Sequence, residues 1–301
     1  MVCMYLSDNF LSGFDQPDPV VLPWVNLNFF KIDSNKLHGS LPIPPPSITS
    51  YEIQNNTLTG EISPMFCNCT SLQIFDLSNN SLSGMLPQCL GNFSDNLSFL
   101  LVGSNSFHGL LPQTYTKKSN LRVIDVSHNK MQGKIPRSLE NCLMLELLHL
   151  SNNKFSDVFP FWLGNLPHLK ILAMRDNGFY GVIGKPDNGN LGFPDLRILD
   201  LSYNNFAGSI PQGPQLSTFN NITSYEGNPG LCGAPLLIKC GNPKAPQPPA
   251  SNGDEDDKDT GLISGLDWIF VVSGFVGGSV VGVVLSDIFV TQGMHGSSRL
   301  L

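Results

Sequence analysis

The chain has 301 residues, of which 14% are charged, and its formal net charge is −7. This length allows one or two ordinary domains, and the acidic balance argues against a phosphate-binding surface for nucleic acid. The 29 glycines and 23 prolines indicate frequent turns, whereas the apolar residues are too plentiful for a disordered tract.

A repeated pattern, L-x-x-L-x-L-x-x-N-x-L-x-G-x-I-P, runs through residues 6–211 in copies spaced 21 to 27 residues apart. Apolar residues precede each asparagine by eight, five and three positions, as Leu121, Ile124 and Val126 precede Asn129. The last two of these positions alternate as in a strand, and stacked copies can share the core that one copy cannot build. The predicted fold class is therefore an α/β-type repeat, a leucine-rich-repeat solenoid with short parallel strands on its concave face and turns and 3-10 segments on its convex face.

The repeated asparagine is predicted to form a ladder, because its side chain can donate to and accept from inward-pointing backbone groups of successive coils. Independent turns are the alternative, which the near-constant spacing disfavours. The glycine four residues later suits a turn with positive φ, and we expect Asp157, which replaces it in the seventh copy, to adopt the same left-handed conformation. The predicted ladder residues are Asn9, Asn35, Asn56, Asn80, Asn105, Asn129, Asn153, Asn177 and Asn204.

The repeat resembles the plant-type extracellular leucine-rich repeat, and "GNPGLCGAPLLIKC" at 227–240 is similar to the C-terminal cap of plant receptor-like proteins. In that family the repeats are followed by a cysteine cap, an acidic spacer, one membrane helix and a short tail. The resemblance implies repeats at 1–211 (about nine, the first incomplete), a cysteine cap at 212–244, a Pro-rich and acidic spacer at 245–267, a transmembrane helix at 268–287 and a cytoplasmic tail at 288–301.

The seven cysteines divide into candidate pairs and candidate core residues. Cys232 and Cys240 enclose a short loop of the cap, where a disulfide contributes roughly 2–3 kcal/mol; two unpaired thiols are the alternative. Cys67 and Cys89 lie in adjacent coils, so their pairing remains open. Two further cysteines, Cys69 and Cys142, share the context N-C-x-x-L and are expected in the core. Cys3 is expected to lack a partner.

Six N-x-S/T sequons predict glycosylation, and together with a disulfide cap they favour a secreted or lumenal compartment. Their asparagines are Asn55, Asn68, Asn79, Asn92, Asn96 and Asn221.

The stretch from Trp268 to Ser286 contains no charge, and as a helix its nineteen residues span about 28 Å, close to the thickness of a bilayer core. Gly274, Gly278 and Gly282 recur every four residues and predict a packing groove for another membrane helix. The resemblance implies that a leucine-rich-repeat receptor kinase pairs through this helix. It also implies a single-pass protein of the plasma membrane, with its repeats outside and its C-terminus in the cytoplasm.

No catalytic motif is recognisable, so we expect neither enzymatic activity nor a cofactor, metal or nucleic-acid partner. His128 and His149 lie three strand positions apart on neighbouring coils; we expect them to be too distant to share a metal and to face solvent.

Outward-facing residues of the concave strands carry mixed charges that suit a peptide or protein ligand. Asp125 and Asp200 recur in a D-x-S pattern that favours a structural role. The candidate ligand face consists of Arg122, His128, Glu146, His149, Lys170, Arg175, Arg197 and Tyr203.

The resemblance therefore implies a cell-surface receptor-like protein that binds an extracellular peptide or protein and signals through a partner kinase, in plant defence more than in development. Alternatives are a wall-localised repeat protein that sequesters ligands or inhibits enzymes, and a non-signalling gene product. We recognise no signal peptide, N-terminal cap or family-type island loop, and interpret the chain as a truncated relative lacking the island and last repeats.

Overall fold

Short parallel strands recur along the chain in the computed structural model, which describes residues 1–14, 19–92, 95–184, 192–213 and 218–241. These residues belong to one unit, Met1–Asn242. The predicted spacer, membrane helix and tail lie outside the described residues, and so do Gly274, Gly278 and Gly282. Within the described ranges, no helix has the length and apolar character needed to span a membrane.

Nearly every coil contributes one strand to a concave sheet and a second, shorter strand beyond the following turn. In chain order the strands are β1 Cys3–Tyr5, β2 Phe29–Lys31, β3 His38–Gly39, β4 Ser50–Glu52, β5 Thr57–Gly60, β6 Ile74–Asp76, β7 Ser81–Leu82, β8 Phe99–Leu101, β9 His108–Gly109, β10 Val123–Asp125, β11 Lys130–Gly133, β12 Leu147–His149, β13 Lys154–Phe155, β14 Ile171–Ala173, β15 Tyr180–Gly181, β16 Ile198–Asp200, β17 Asn205–Ser209 and β18 Gly230–Cys232.

The concave sheet has nine parallel strands in the order β1-β2-β4-β6-β8-β10-β12-β14-β16. Three smaller parallel sheets, β3-β5-β7, β9-β11-β13 and β15-β17-β18, follow the turn. On the convex side the chain returns through 3-10 turns at Pro64–Asn68, Gln88–Gly91, Arg137–Asn141, Phe161–Asn165 and Ile222–Ser224. The predicted parallel-strand solenoid is confirmed.

The core lies between the concave strands and the convex turns. In the concave sheet, the middle residue of every strand from β2 onward points inward and is at most 3% exposed; Phe75 and Ile124 are examples. Phe155, Phe179 and Phe206 of successive coils stack with ring centroids 6.5 and 6.2 Å apart. Because every coil contacts only its neighbours, this continuous core joins the solenoid from end to end.

The repeated asparagines form a hydrogen-bonded ladder. Asn129 Oδ1 accepts from the Phe107 N–H of the preceding coil at 2.8 Å. Its Nδ2 donates to the Val102 carbonyl of that coil at 3.0 Å and to the carbonyls of Val126 and Ser127 in its own coil. The same bonds recur from Asn35 to Asn204. Asn9, the first of the predicted ladder residues, instead donates to the Leu6 and Ser7 carbonyls of its own coil.

The ladder continues one coil beyond the predicted repeats. Asn228 Oδ1 accepts from Phe206 N–H at 3.0 Å, and its Nδ2 donates to the Leu201 carbonyl at 2.9 Å. The strand β18 then pairs with β17, so residues expected to be a separate cap build a tenth coil. The 24-residue spacing from Asn204 signalled this rung, but the missing L-x-L pattern before Asn228 hid it.

The turn after each rung contains the expected positive φ at seven of the eight glycines, with values between 78° and 89°. Gly13 does not share it. The expectation for Asp157 is wrong, because this residue does not have a positive φ. Its Oδ2 instead accepts from Ile135 N–H of the preceding coil at 3.2 Å, and its Oδ1 accepts from Val158 N–H at 2.9 Å.

A second left-handed position lies directly before each rung. Before the predicted asparagines the residues there are Asp8, Ser34, Asn55, Asn79, Ser104, His128, Asn152, Asp176 and Tyr203, with φ between 51° and 56°. Before Asn228 it is Gly227, with φ 71°. Because their identities differ, the sequence pattern did not reveal this turn.

Two disulfides join Cys67 to Cys89, on consecutive coils, and Cys232 to Cys240, after the last coil. Cys69 and Cys142 are buried free thiols, and burial raises the pKa of each to about 11, which makes both unreactive at neutral pH. Cys3 is free and exposed.

Candidate functional site: the concave face

Each concave strand presents three outward positions in rows that cross the sheet, because the strands pair in register. The outer row is defined by the residue before each strand, the apolar row by the first strand residue and the strand-end row by the third. Backbone bonds place Arg122, Glu146, Lys170 and Arg197 side by side in the outer row.

The outer row contains a shared ion pair. Glu146 Oε1 lies 3.0 Å from Arg122 Nη1, and Glu146 Oε2 lies 2.6 Å from Lys170 Nζ. Arg197 instead approaches Asp195 at 3.4 Å, and its side chain is 71% exposed. The structure thus brings three of the predicted ligand-face residues into contact and leaves the guanidinium of the fourth, Arg197, largely exposed to solvent.

The strand-end row contains a second pair, between Asp125 and His149 of neighbouring strands. His149 Nδ1 lies 3.3 Å from Asp125 Oδ2, and the side chains are only 18% and 20% exposed. The expectation that His149 faces solvent is therefore wrong. Nδ1 is buried and, among the described residues, forms no hydrogen bond of good geometry, so the contact is an ion pair rather than an aligned hydrogen bond.

The pair shifts the pKa of both partners. Burial acts to lower the pKa of His149, but the Asp125 carboxylate outweighs burial and raises it. Burial acts to raise the pKa of Asp125, but His149 and the hydrogen bonds from Ser127 outweigh it and lower it. His128 is exposed at the edge, and partial desolvation together with His149 lowers its pKa.

The D-x-S pattern builds a local turn. Ser127 N–H donates to Asp125 Oδ1 at 2.9 Å, and Ser202 donates to Asp200 Oδ1 from its N–H at 3.0 Å and from its hydroxyl at 2.6 Å. Each aspartate therefore commits one oxygen to its own coil.

Three charged residues of the amino-terminal coils, Lys31, Glu52 and Asp76, were missed by the sequence reasoning. Lys31 Nζ lies 2.8 Å from Glu52 Oε2, and Ser50 donates to Glu52 Oε1 at 2.6 Å. Asp76 follows Glu52 in the strand-end row and accepts both bonds of Ser78, at 3.0 and 2.6 Å. All three stand four residues before a ladder asparagine, so a comparison of that position among the repeats would have revealed them.

Arg175 and Tyr203 form a cation–π contact at the carboxyl-terminal edge, with the guanidinium carbon 4.5 Å from the ring centroid. Tyr203 belongs to the left-handed position before Asn204 and is 46% exposed. The arrangement presents a flat aromatic and cationic surface beside the sheet.

All six sequon asparagines are exposed, and all lie outside the three rows. Asn55 and Asn79 occupy left-handed turns of consecutive coils, where Asn79 Nδ2 donates to Asn55 Oδ1 at 2.8 Å. Asn68, Asn92, Asn96 and Asn221 lie at convex turns or connections. Within the part of the chain that the structure describes, no group of three or more His, Cys, Asp or Glu side chains could hold a metal ion.

Comparison with known proteins agrees with this geometry. The Leucine Rich Repeat family model matches residues 71–93, 120–142, 144–166 and 195–216. Among relatives from Arabidopsis thaliana, Receptor-like protein 54 is 37% identical over 212 residues, Receptor-like protein 7 is 47% identical over 239 and Receptor-like protein 6 is 57% identical over 180. The alignments cover 70%, 77% and 60% of this chain and 26%, 24% and 18% of the relatives.

Two solved structures are similar ectodomains in complex with ligands. The Arabidopsis receptor kinase HAESA with an IDA peptide hormone gives a TM-score of 0.67 at 29% identity, covering 80% of this chain and 39% of that one. The Arabidopsis ectodomain of GASSHO1/SCHENGEN3 with CASPARIAN STRIP INTEGRITY FACTOR 2 gives 0.65 at 27% identity, covering 80% and 31%. A plant ice-binding protein gives 0.66 at 26% identity, covering 80% and 76%.

The repeated coil, its asparagine ladder and the nine-stranded concave sheet define a leucine-rich-repeat protein. The relatives show more narrowly that the chain belongs to the plant receptor-like proteins. It spans about a quarter or less of the length of these relatives.

Proposed function

We propose that this chain is the ligand-binding part of a cell-surface receptor-like protein, and that its concave face binds an extended extracellular peptide or a protein segment. The observation that carries the proposal is the outer row, in which Glu146 holds Arg122 and Lys170 while Arg197 stays exposed. Charged side chains fixed in register on a rigid sheet are suited to orient a polar ligand. The ligand-bound ectodomains of HAESA and GASSHO1/SCHENGEN3 support this proposal through their shared fold.

The binding test uses random-peptide display against the full purified chain. We expect enriched peptides to lose about tenfold or more in affinity for Lys170→Glu. The new carboxylate would lie beside that of Glu146, and the two negative charges would repel each other and acidic groups of the ligand. Lys154→Glu is the matched control, since Lys154 is an exposed lysine of β13, outside the concave face. Equal effects of both changes, or no enriched peptides, would contradict concave-face binding.

We further propose that the receptor is a glycoprotein of the plasma membrane, anchored by the 268–287 segment with its repeats outside the cell. The exposure of all six sequon asparagines supports this compartment. Enzymatic removal of N-glycans from the protein expressed in plant cells should lower its apparent mass, and an unchanged mass would contradict the proposal.

Signalling is proposed to pass through a leucine-rich-repeat receptor kinase that packs on Gly274, Gly278 and Gly282, in defence more than in development. Gly278→Leu should reduce co-purification of such a kinase, because a bulky side chain blocks close helix approach. Gly277→Leu is the control, since Gly277 is not part of the four-residue series. Equal co-purification of the kinase with the two variants would contradict packing on the three glycines. A ligand-sequestering wall protein would then be favoured.

A further inference from the structure

The carboxyl groups of the strand-end row differ in how their charge is balanced. Glu52 is paired with Lys31 at 2.8 Å, and Asp125 is paired with His149 at 3.3 Å. Asp76 lies between these pairs, and its two neighbours in register are Glu52 and the apolar Leu101. Among the described residues no cation forms an ion pair with Asp76.

The cations of the row are out of reach of Asp76. Lys31 lies two strands away on one side and is bound to Glu52, while His149 lies three strands away on the other side and is bound to Asp125. At about 4.8 Å per strand, their backbones are roughly 10 Å or more from that of Asp76 along the sheet. The Lys31 ammonium reaches toward Asp76 as far as Glu52 and acts on Asp76 through space without forming an ion pair with it. The hydrogen bonds from Ser78 both end on Oδ1, so Oδ2 is the atom available to a partner.

The surroundings of Asp76 are apolar. Ile74 and Phe99 occupy the apolar row beside it and are 7% and 6% exposed, and Leu101 is 8% exposed. Burial, with a smaller contribution from Glu52 and Asp125, raises the pKa of Asp76 to about 7. A half-buried carboxylate without a counter-charge is unfavourable, so a cation that reached it would gain a pairing that the protein itself does not supply.

Gly103 distinguishes the coil that follows Asp76 from the other coils. The position two residues before the ladder asparagine carries a side chain in eight of the nine predicted coils but is Gly103 in the coil that follows Asp76. A Cβ at Gly103 would lie 3.1 Å from both Asp125 Oδ1 and Ser127 Oγ, so the position stays bare because its neighbours fill that space. Leu101, two residues before Gly103, is the neighbour of Asp76 in register and gives it an apolar contact on this side.

We propose that Asp76, over the apolar floor of Ile74, Phe99 and Leu101, is a subsite for a basic side chain, arginine or lysine, of the extended ligand. The proposal rests on the proposed binding function and names one chemical group of the ligand. The floor takes the aliphatic stem and the Oδ2 atom takes the charged head, which is the way such side chains divide between apolar and polar surroundings.

Binding of a cation and loss of the Asp76 proton are linked. The cation pairs with the ionised carboxylate, so affinity should be largest above pH 7 and fall about tenfold for each pH unit below the midpoint of the free protein. The other titratable groups of this row are Tyr5, Lys31, Glu52, Asp125, His149 and Asp200. His149 also loses its proton above pH 6.5, because Asp125 raises its pKa, so the pH dependence that disappears in Asp76→Asn is the part that belongs to Asp76.

The test follows the methyl NMR signals of Ile74 and Leu101 in the full chain during titration with N-acetyl-arginine methylamide at constant ionic strength. The neutral analogue N-acetyl-citrulline methylamide has the same shape without the charge. We expect the arginine probe to shift these methyl signals and to lower the titration midpoint of Asp76, and the citrulline probe to do neither.

The variant Asp76→Asn should weaken arginine binding about tenfold or more, because the amide keeps the bond to Ser78 but removes the charge. Asp200→Asn is the matched control, since Asp200 holds Ser202 in the same way on β16. The subsite is overturned if citrulline binds as well as arginine, if calcium chloride gives the same shifts, or if Asp76→Asn has no effect.

Failure of the subsite and failure of the proposed function are distinguishable. If the arginine probe shows no Asp76-dependent binding while displayed peptides remain sensitive to Lys170→Glu, the subsite is overturned and the concave face still binds peptides. If no peptide is enriched while the arginine probe binds in an Asp76-dependent way, the receptor proposal fails and the basic-group site stands.

Discussion

Asp125 of β10 and His149 of β12 face each other in register across the concave sheet, with Oδ2 and Nδ1 3.3 Å apart. Their alignment follows from the 24-residue spacing of the two coils, which places Asp125 and His149 at the same position of consecutive repeats. An ion pair with both side chains about four-fifths buried is screened less than a surface pair, so its effect on stability should be measurable.

The first prediction concerns the pH dependence of this pair. The folded pKa of His149 is raised above 6.5, so its contribution is fully present below 6.5 and is lost as pH rises through the folded value. The folded pKa of Asp125 is lowered below 3.8, so its contribution is present above 3.8 and is lost as pH falls through the folded value. The pair should therefore stabilise the fold most between these limits.

His149→Gln should lower the free energy of unfolding by about 1 kcal/mol near pH 5.5 and by less near pH 8.5. Urea unfolding at both pH values measures the difference. His108→Gln, a change of an exposed histidine on β9, is the control. A loss that is the same at both pH values would show that His149 acts through packing alone.

The second prediction concerns the ladder. Asn129→Ala removes the acceptor of Phe107 N–H and the donor to the Val102 carbonyl, and leaves both backbone groups away from water. We expect a loss of about 2 to 4 kcal/mol in unfolding free energy, because each unsatisfied buried group costs roughly 1–3 kcal/mol. Chemical denaturation of the full chain measures it.

Asn9→Ala is the matched control for Asn129→Ala. Asn9 is exposed and donates only to the Leu6 and Ser7 carbonyls of its own coil, so its replacement should cost much less. Similar losses in the two variants would mean that the bonds between coils do not stabilise the solenoid.

The ladder also shows how far sequence alone could reach. Leu121, Ile124 and Val126 define one coil by their spacing. Because the coils bury the same positions, the repeat predicts the sheet and eight of the nine asparagines that bond to a preceding coil. The left-handed turn before each rung was not predictable from residue identity, because His128 and Tyr203 share a backbone conformation but have different side-chain chemistry.

The candidate ligand face was predictable as a set but not in its contacts. Arg122, Glu146 and Lys170 are recognisably one row once the repeats are aligned, and the structure adds that Glu146 binds both cations. His149 was misjudged because exposure depends on the neighbouring coil: Asp125 draws the imidazole onto the sheet. Asp76 was missed because it differs from Glu52 and Asp125 in having no ion-pair partner among the described residues. That difference is visible only when the side chains of the whole strand-end row are compared in the structure.

The third prediction concerns the disulfide between consecutive coils. Cys67 and Cys89 are 22 residues apart, and closing a loop of that size stabilises the folded state by about 3 kcal/mol in the chain-entropy model. The double variant Cys67→Ser, Cys89→Ser should lose about that much in non-reducing urea denaturation. Cys3→Ser should change little, because Cys3 is exposed and unpaired; equal losses would contradict the loop argument.

The fourth prediction tests the one turn that departs from the repeat. A sequence comparison favours Asp157→Gly as a stabilising return to the pattern, whereas the structure predicts a loss. The residue does not adopt a positive φ, so glycine gains nothing from its conformational freedom, and the acceptors of Ile135 N–H and Val158 N–H disappear. We expect the unfolding free energy to fall by about 1 to 2 kcal/mol.

Asp157→Asn separates the two contributions to that loss. The amide oxygen can still accept one of the two backbone bonds, and the backbone keeps its Cβ, so this variant should lose less than Asp157→Gly when both are measured by urea unfolding. If Asp157→Gly proves as stable as the wild type or more so, the carboxylate bond to the preceding coil is not stabilising. The turn would then tolerate the glycine conformation of the other coils, and the seventh repeat would differ from them in sequence but not in energetics.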